Sequence, residues 1–472
     1  MNVICICLDT FRNDIVGGGK KLSHCQTPNL DEFRAGGIAF EGAHGEGQPT
    51  LQIRRAFLTG RRSFPWRYNF DRRGLWHHQP GWHKIPPEQD TIAEILVRRG
   101  YYTGMVADTY HMFKPTCNFT RGFVNYDFIR GQESDNWRGG TPDMIEQEMR
   151  KRVREPINWR KHATLVQYLY NMRGRQKEED YLCARVMRRA AEWLDECHRN
   201  APFFLWVDSF DPHEPWDPPS KYADLYCPDY EGKDFVFPGA VHENQQPTER
   251  ELERIKALYL GEVSFVDKWV GALFDKVTEL SLWDDTIVVV LSDHGTQLMD
   301  HGRYGKGGGN LRSYNTGIVW YMRHPDGPSG QVIDAYVQSH DLMPTLLSLL
   351  EVPHWTEGLN VWPLVTGEAE RLRDHIVSGW CAAKEGRAGS WAAVRDDEWL
   401  YWTAVHEQDP NAVLFRLPDE EESVHDEHPG VVAEQRRRIE AVLNQPMPAM
   451  LNEVSDPGPP PWADYLSATS RS

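Results

Sequence analysis

The run Thr286-Ile287-Val288-Val289-Val290-Leu291-Ser292-Asp293-His294-Gly295 decides the fold. Its first part is apolar and β-branched with no polar face, which suits a strand buried on both sides of a helix-covered parallel sheet. It then stops abruptly at Asp293-His294. Three other stretches behave alike: Val3 to Leu8 runs into Asp9-Thr10, Thr103 to Ala107 into Asp108-Thr109, and Phe203 to Ser209 into Asp211-Pro212-His213. Ligands of open α/β sheets bind outside the carboxyl ends of strands, so four strands delivering polar groups at one edge describe a site.

Helical patterns over Gln52 to Thr59, Thr91 to Arg99, Lys177 to Arg199, Thr248 to Glu279 and Met343 to Leu350 separate these strands. The alternation predicts an α/β fold, a doubly wound and mostly parallel sheet flanked by helices. Residues 1–358 form the catalytic domain on this reading. Arg130 to Arg160 and Pro228 to Gln246 read as surface insertions that build a pocket rim. Beyond Gly358 the texture changes to short segments, Trp391 to Arg395, Trp399 to Val405 and Val413 to Leu417, and a closing helix, Val431 to Leu443. They predict a small antiparallel C-terminal α+β subdomain over 359–445. The acidic run Asp419-Glu420-Glu421-Glu422 reads as a solvated turn. The Pro-rich tail, 446–472, cannot hold regular structure through its prolines and offers a route to homo-oligomers.

The chain has 472 residues, and 52 Lys and Arg against 69 Asp and Glu leave a net charge of −17. That surplus argues against nucleic-acid partners, whose phosphates are gripped by clustered basic residues. No apolar run approaches the ~18 residues of a membrane helix, and the N-terminus has no positively charged leader, so no membrane partner and a cytoplasmic location are expected. Eight scattered cysteines without a CxxC pair read mostly as free, buried thiols.

Two stretches carry the chemistry. Asp293 and His294, adjacent where the chain leaves strand geometry, can both reach one metal. His301-Gly302 follows, then Lys306 in a glycine-rich loop, Gly305 to Gly309, which can set an ammonium beside an anionic substrate. Upstream, Thr50 follows a proline and precedes a helix, at or near its N-cap, where backbone N–H groups and the helix dipole favour negative charge. A hydroxyl there becomes a nucleophile if its proton is lost, and Arg54, one turn on, faces the same side.

Five ordered motifs now resemble the sulfatase family of the alkaline phosphatase superfamily. They are Leu8-Asp9-Thr10 with Thr27-Pro28-Asn29-Leu30-Asp31; Thr50 to Arg61; Asp211-Pro212-His213-Glu214-Pro215; Ser292 to Gly295 with His301-Gly302 and Lys306; and His340-Asp341-Leu342-Met343-Pro344-Thr345. The resemblance implies an alkaline-phosphatase-like fold and a metal-dependent ester hydrolase. Counting back from Thr59-Gly60-Arg61 sets Arg54 on the family's arginine and Thr50 on its nucleophile. Sulfatases oxidise a Cys or Ser there to formylglycine, an aldehyde threonine cannot give because its β-carbon carries a methyl group. The expectation is therefore no formylglycine and a Thr50 that attacks directly, as threonine does in phosphodiesterase branches.

The carry-over further implies that Asp9, Asp293, His294 and the Thr50 oxygen hold one divalent metal. Thr10 stands where sulfatases usually have a second Asp, and the reduced carboxylate set suits Mn2+ or Zn2+ better than Ca2+. Asp9, Asp293, His294, His213 and Lys306 resemble the set of the phosphonate monoester hydrolases, which act on phosphonate monoesters, phosphodiesters and sulfate esters. His213 and Lys306 then bind substrate oxygens or protonate the leaving group, and Arg54 orients the nucleophile. Thr10, Asn69, Thr109, Tyr110, His111 and His301 are assigned to substrate contact. The expected partner is a small anionic ester, cleaved at phosphorus through a covalent phospho-enzyme. The rival readings are a formylglycine-independent sulfatase acting on a sulfate ester or sulfamate, and a catalytically silent binding protein on the same fold.

Overall fold

The computed structural model describes residues 1–65, 82, 84–114, 117–237, 247–306, 310–384, 387–405 and 411–444. Asn69 and the 446–472 tail lie outside them. The main sheet has eight strands: β1 (Asn2–Leu8), β2 (Ile38–Phe40), β3 (Tyr102–Ala107), β4 (Asn125–Phe128), β5 (Phe203–Ser209), β6 (Thr286–Ser292), β7 (Trp320–Arg323) and β8 (Gln331–Ile333). Their order is β8-β2-β7-β6-β1-β5-β3-β4, and β7 alone runs against its neighbours. The four strands expected from the sequence are the adjacent central ones, β6-β1-β5-β3, in parallel register from Leu8 to Ser292 and Ser209. β2, β4, β7 and β8 escaped prediction because each has only three or four residues, too few for a pattern to show.

The apolar strands feed two cores. In β1, Ile4, Ile6 and Leu8 enter one cluster with Phe33, Trp193 and Val263, while Val3, Cys5 and Cys7 enter the other with Phe57, Leu96 and Leu346. The first face is covered by α1 (Pro28–Ala35), α4 (Leu182–Cys197) and α5 (Glu249–Glu279), the second by α2 (Thr50–Thr59), α3 (Ile92–Arg98) and α6 (Leu342–Leu349). Period-2 alternation between two buried faces is why these strands lack polar alternation. Capping boxes fix two starts, Thr91 with Glu94 for α3 and Thr248 with Glu251 for α5. The helix expected from Lys177 begins only at Leu182, because Tyr181 is extended and a 3-10 turn, Glu178–Asp180, precedes it.

The second sheet is antiparallel, with β9 (His375–Lys384), β10 (Arg387–Asp396), β11 (Trp399–Ala404) and β12 (Val413–Arg416), backed by α7 (Pro429–Leu443). β9 was not foreseen. It pairs in parallel with a two-residue strand, Gly47–Gln48, just before α2. The insertion expected as loop over 130–160 contains a helix, Glu146–Arg152. Nor is the acidic run simply solvated, since Glu420 pairs with Arg395 at 2.9 Å and accepts from the Ser313 N–H at 3.0 Å, tying the two sheets' loops together. Among the described residues no helix is long and apolar enough to cross a membrane. The seven cysteines described are free thiols.

Candidate active site

The central strands end side by side, so their polar termini meet over the start of α2. Asp9 follows β1, and Asp293 and His294 follow β6; all three are buried, and one ligand atom from each lies within 4.8 Å of the others. Thr10 adopts φ 62, which turns its N–H onto Asp293 Oδ1 at 2.9 Å, while the His294 N–H donates to the same oxygen at 2.7 Å. Gly295 has no room for a side chain, because a Cβ would fall 1.9 Å from the Tyr314 carbonyl oxygen.

The ring of His294 has one available protonation pattern. Nδ1 lies 2.9 Å from the Gly295 carbonyl, which only accepts, so Nδ1 carries the proton and Nε2 a lone pair. That lone pair has no hydrogen bond and faces Asp293 Oδ2 at 3.5 Å and Asp9 Oδ1 at 3.8 Å. Asp9 Oδ2 is likewise buried without a hydrogen bond. Burial, then the adjacent Asp293 carboxylate, pushes the Asp9 carboxyl well above its usual range. Burial works on Asp293 too, but the Arg54 guanidinium and the Thr10 N–H hold it down, to about 2. The His294 lone pair and Asp9 Oδ2 are buried beside Asp293 without a hydrogen bond, and two carboxylates with a neutral imidazole fit a divalent metal.

Arg54 is wholly buried among three carboxylates. Nη1 lies 2.5 Å from Asp293 Oδ2 and 3.2 Å from Asp9 Oδ2, while Nε and Nη2 grip Asp208 Oδ1 and Oδ2 at 2.9 to 3.1 Å. Thr50 is the first residue of α2, with Pro49 at the N-cap, rather than preceding a helix that starts at Gln52. Its carbonyl lies 3.5 Å from Arg54 Nη1, and its hydroxyl makes no hydrogen bond among the described residues.

A second group lies across the site. Lys306 Nζ is 2.5 Å from His213 Nε2 and 3.2 Å from Glu214 Oε1. An ammonium only donates, so Nε2 accepts and Nδ1–H donates to the Glu214 carbonyl at 2.5 Å. Burial pulls the His213 imidazole down to about 3, and against burial the Lys306 ammonium holds the Glu214 carboxyl down, to about 2. The His213 ring stacks on Phe210 at 4.0 Å between centroids.

The remaining expected residues divide. Thr10 Oγ1 donates to Asp9 Oδ1 at 2.6 Å and Thr109 Oγ1 to Asp208 Oδ1 at 2.6 Å, so both hydroxyls hold carboxylates of the cluster. Tyr110 donates to Glu133, and His111 Nε2 lies 3.8 Å from the same carboxylate. His301 pairs at 3.1 Å with Glu421 of the C-terminal subdomain and touches none of the cluster.

Three residues of the site went unread in the sequence. Asp208 was the only charge inside an apolar strand, a usable signal. Glu214 sat within a quoted motif. Glu133 comes from the insertion and is held at φ 41, which no sequence pattern announces.

With the fold and this geometry in view, the class of the protein follows: the Sulfatase family profile matches residues 1–352, and the chain belongs to that family of hydrolases, within the alkaline phosphatase superfamily. The chain is 24% identical over 408 residues to an arylsulfatase of Clostridium perfringens, covering 79% of this chain and 80% of that protein. It is 26% identical over 246 residues to the multifunctional alkaline phosphatase superfamily protein PehA of Trinickia caryophylli, covering 46% and 44%. In structure it is similar to the phosphonate monoester hydrolase of Agrobacterium radiobacter, with a TM-score of 0.72 at 18% identity over 94% of this chain and 95% of that one, a likeness of fold alone. Enzymes of this superfamily use a divalent metal ion.

Proposed function

We propose that this hydrolase cleaves a phosphodiester or phosphonate monoester with Thr50 as the nucleophile. The observation that carries the reading is the head of α2: a threonine hydroxyl with no hydrogen bond among the described residues, one turn from an arginine that also touches Asp9 and Asp293. Thr50 Oγ, its proton lost, bonds to phosphorus as one ester oxygen departs and takes up a proton, and water then cleaves the threonine ester, returning the hydroxyl and releasing a phosphate monoester or a phosphonate. The Lys306–His213 pair gives the leaving oxygen its proton, and Arg54 holds the α2 terminus against the carboxylates. Asp9, Asp293 and His294, with the Thr50 oxygen, would hold a divalent ion, Mn2+ or Zn2+, which would supply Lewis-acid charge to stabilise anionic oxygen. Preorganised charges of this kind contribute several kcal/mol each.

A second reading, hydrolysis of a sulfate ester or sulfamate by Thr50, has in its favour the sulfatases among the relatives. It is weaker because threonine leaves a stable sulfate ester on the enzyme, with no aldehyde hydrate to expel it.

The test is turnover of bis-p-nitrophenyl phosphate, phenyl p-nitrophenylphosphonate, p-nitrophenyl phosphate and p-nitrophenyl sulfate by protein loaded in turn with Mn2+, Zn2+ and Ca2+. Dominant diester or phosphonate turnover is expected. Preferential sulfate turnover overturns the phosphorus reading, and inactivity on all four removes the catalytic one.

A further inference from the structure

Two carboxylates at the site belong neither to the metal set nor to the proton-transfer pair. Asp208, wholly buried, forks the Arg54 guanidinium and receives Thr109 Oγ1 at 2.6 Å and the Trp206 indole N–H at 3.0 Å. Glu214, with its side chain 14% exposed, lies against Lys306 at 3.2 Å. Each therefore neutralises one of the site's two cations.

Counted outward from the cluster, Asp9, Asp293, Asp208 and Glu214 stand against Arg54 and Lys306, while His213 and His294 are neutral imidazoles. The surplus is two negative charges, which one divalent ion cancels. Of the groups next outward, Glu133 and Lys114 oppose each other, while Asp108 and Asp211 share the Gln132 amide and burial pushes both carboxyls up. The loaded inner set is thus neutral before substrate enters, although it is built for an anion. A singly charged ester adds one negative charge to it; a phosphate monoester dianion adds two, in a buried setting where unscreened charge is costly.

Resting on the hydrolase reading above, we infer that Asp208 and Glu214 are specificity-determining residues that cancel Arg54 and Lys306 and so select monoanionic over dianionic esters. Selectivity arises here from a charge withheld, since discrimination can be built by disfavouring the wrong partner. Asp208 also acts as a positioning residue, because its fork fixes which face of the guanidinium meets Asp9 and Asp293.

The test is calorimetric binding of dimethyl phosphate, a monoanion, and inorganic phosphate, a dianion at about pH 8.5, to the Mn2+-loaded protein and to Asp208→Asn and Glu214→Gln. The parent is expected to bind dimethyl phosphate at least as tightly as phosphate. Each variant, one negative charge poorer, should shift the affinity ratio toward phosphate by about tenfold. A ratio unchanged within about twofold in Glu214→Gln and in any metal-retaining, folded Asp208→Asn overturns the inference, as does a parent that binds neither anion. Glu214→Gln keeps the test open should the buried Asp208 variant fail to fold. Turnover of bis-p-nitrophenyl phosphate is followed in parallel: an inactive parent with the expected binding ratios removes the proposed reaction and leaves the charge selection standing, whereas an active parent with unchanged ratios does the reverse.

Discussion

At the scale of single residues, the arrangement makes separable predictions for attack, metal and proton. Thr50→Ala removes a hydroxyl that makes no hydrogen bond among the described residues, so kcat should fall by more than about a hundredfold with melting temperature nearly unchanged and the ion still held by Asp9, Asp293 and His294. A residual rate above about a hundredth of the parent's puts the attacking oxygen on water instead. Asp293→Asn removes the charge that Arg54, the Thr10 N–H and His294 converge upon, and the purified variant should hold no divalent ion by elemental analysis. Lys306→Ala should slow alkyl esters by at least about tenfold more than p-nitrophenyl esters, because only a poor leaving group needs a proton in the transition state. Equal slowing of both would assign Lys306 to oxygen binding alone.

At the scale of elements, an ion network carries the insertion that rims the site. Asp217, after β5, accepts from Arg152 at 2.9 Å and from Arg175, so a helix of the insertion and the loop before α4 are both anchored to one buried carboxylate. Burial raises the Asp217 carboxyl, but the two guanidinium groups outweigh it and the net shift is downward. A carboxyl whose folded value is depressed adds stability above its unfolded value, roughly pH 4, and that contribution is lost as pH falls below it. Asp217→Asn should therefore cost about 3 kcal/mol in urea unfolding at neutral pH, leaving Arg175 without its paired carboxylate and Arg152 with Glu148 alone. The gap between parent and variant should close as pH is lowered through the ordinary carboxylate range; a gap that persists in acid would mean that packing, and not charge, is what the substitution damages.

At the scale of the whole molecule, the C-terminal subdomain braces the segment that leads into α2, although none of the proposed metal, nucleophilic or proton-transfer residues lies in it. The Gly379 N–H donates to the Glu46 carbonyl at 2.9 Å, Ser378 Oγ donates to the Gly45 carbonyl at 2.6 Å, and β9 completes its sheet on Gly47–Gln48, three residues before Thr50. At Gly379 a Cβ would meet the Phe64 ring at 2.2 Å, so the two parts approach as closely as backbone allows. Deleting residues 359–472 should abolish turnover, and an active truncated protein would show that α2 keeps its place unaided. Chelation should lower the melting temperature of the full chain as well as its activity, since an ion bound only by the folded state stabilises it by mass action; an unchanged melting temperature would speak against a metal at Asp9, Asp293 and His294.

The sequence by itself determined the four central strands and the polar termini at one edge, and it singled out Asp9, Thr50, Arg54, His213, Asp293, His294 and Lys306 as candidates. Those signals are local: apolar runs have a period, and a strand end is marked by the residue type that follows. Tertiary structure alone decided that the central strands adjoin in the order β6-β1-β5-β3, that Asp208 forks Arg54, that Glu133 reaches Tyr110 from the insertion, and that β9 grips the segment before the nucleophile. Each of those joins residues from about 20 to over 300 positions apart, and nothing in a local pattern encodes which distant charge will be paired when burial forbids leaving it alone.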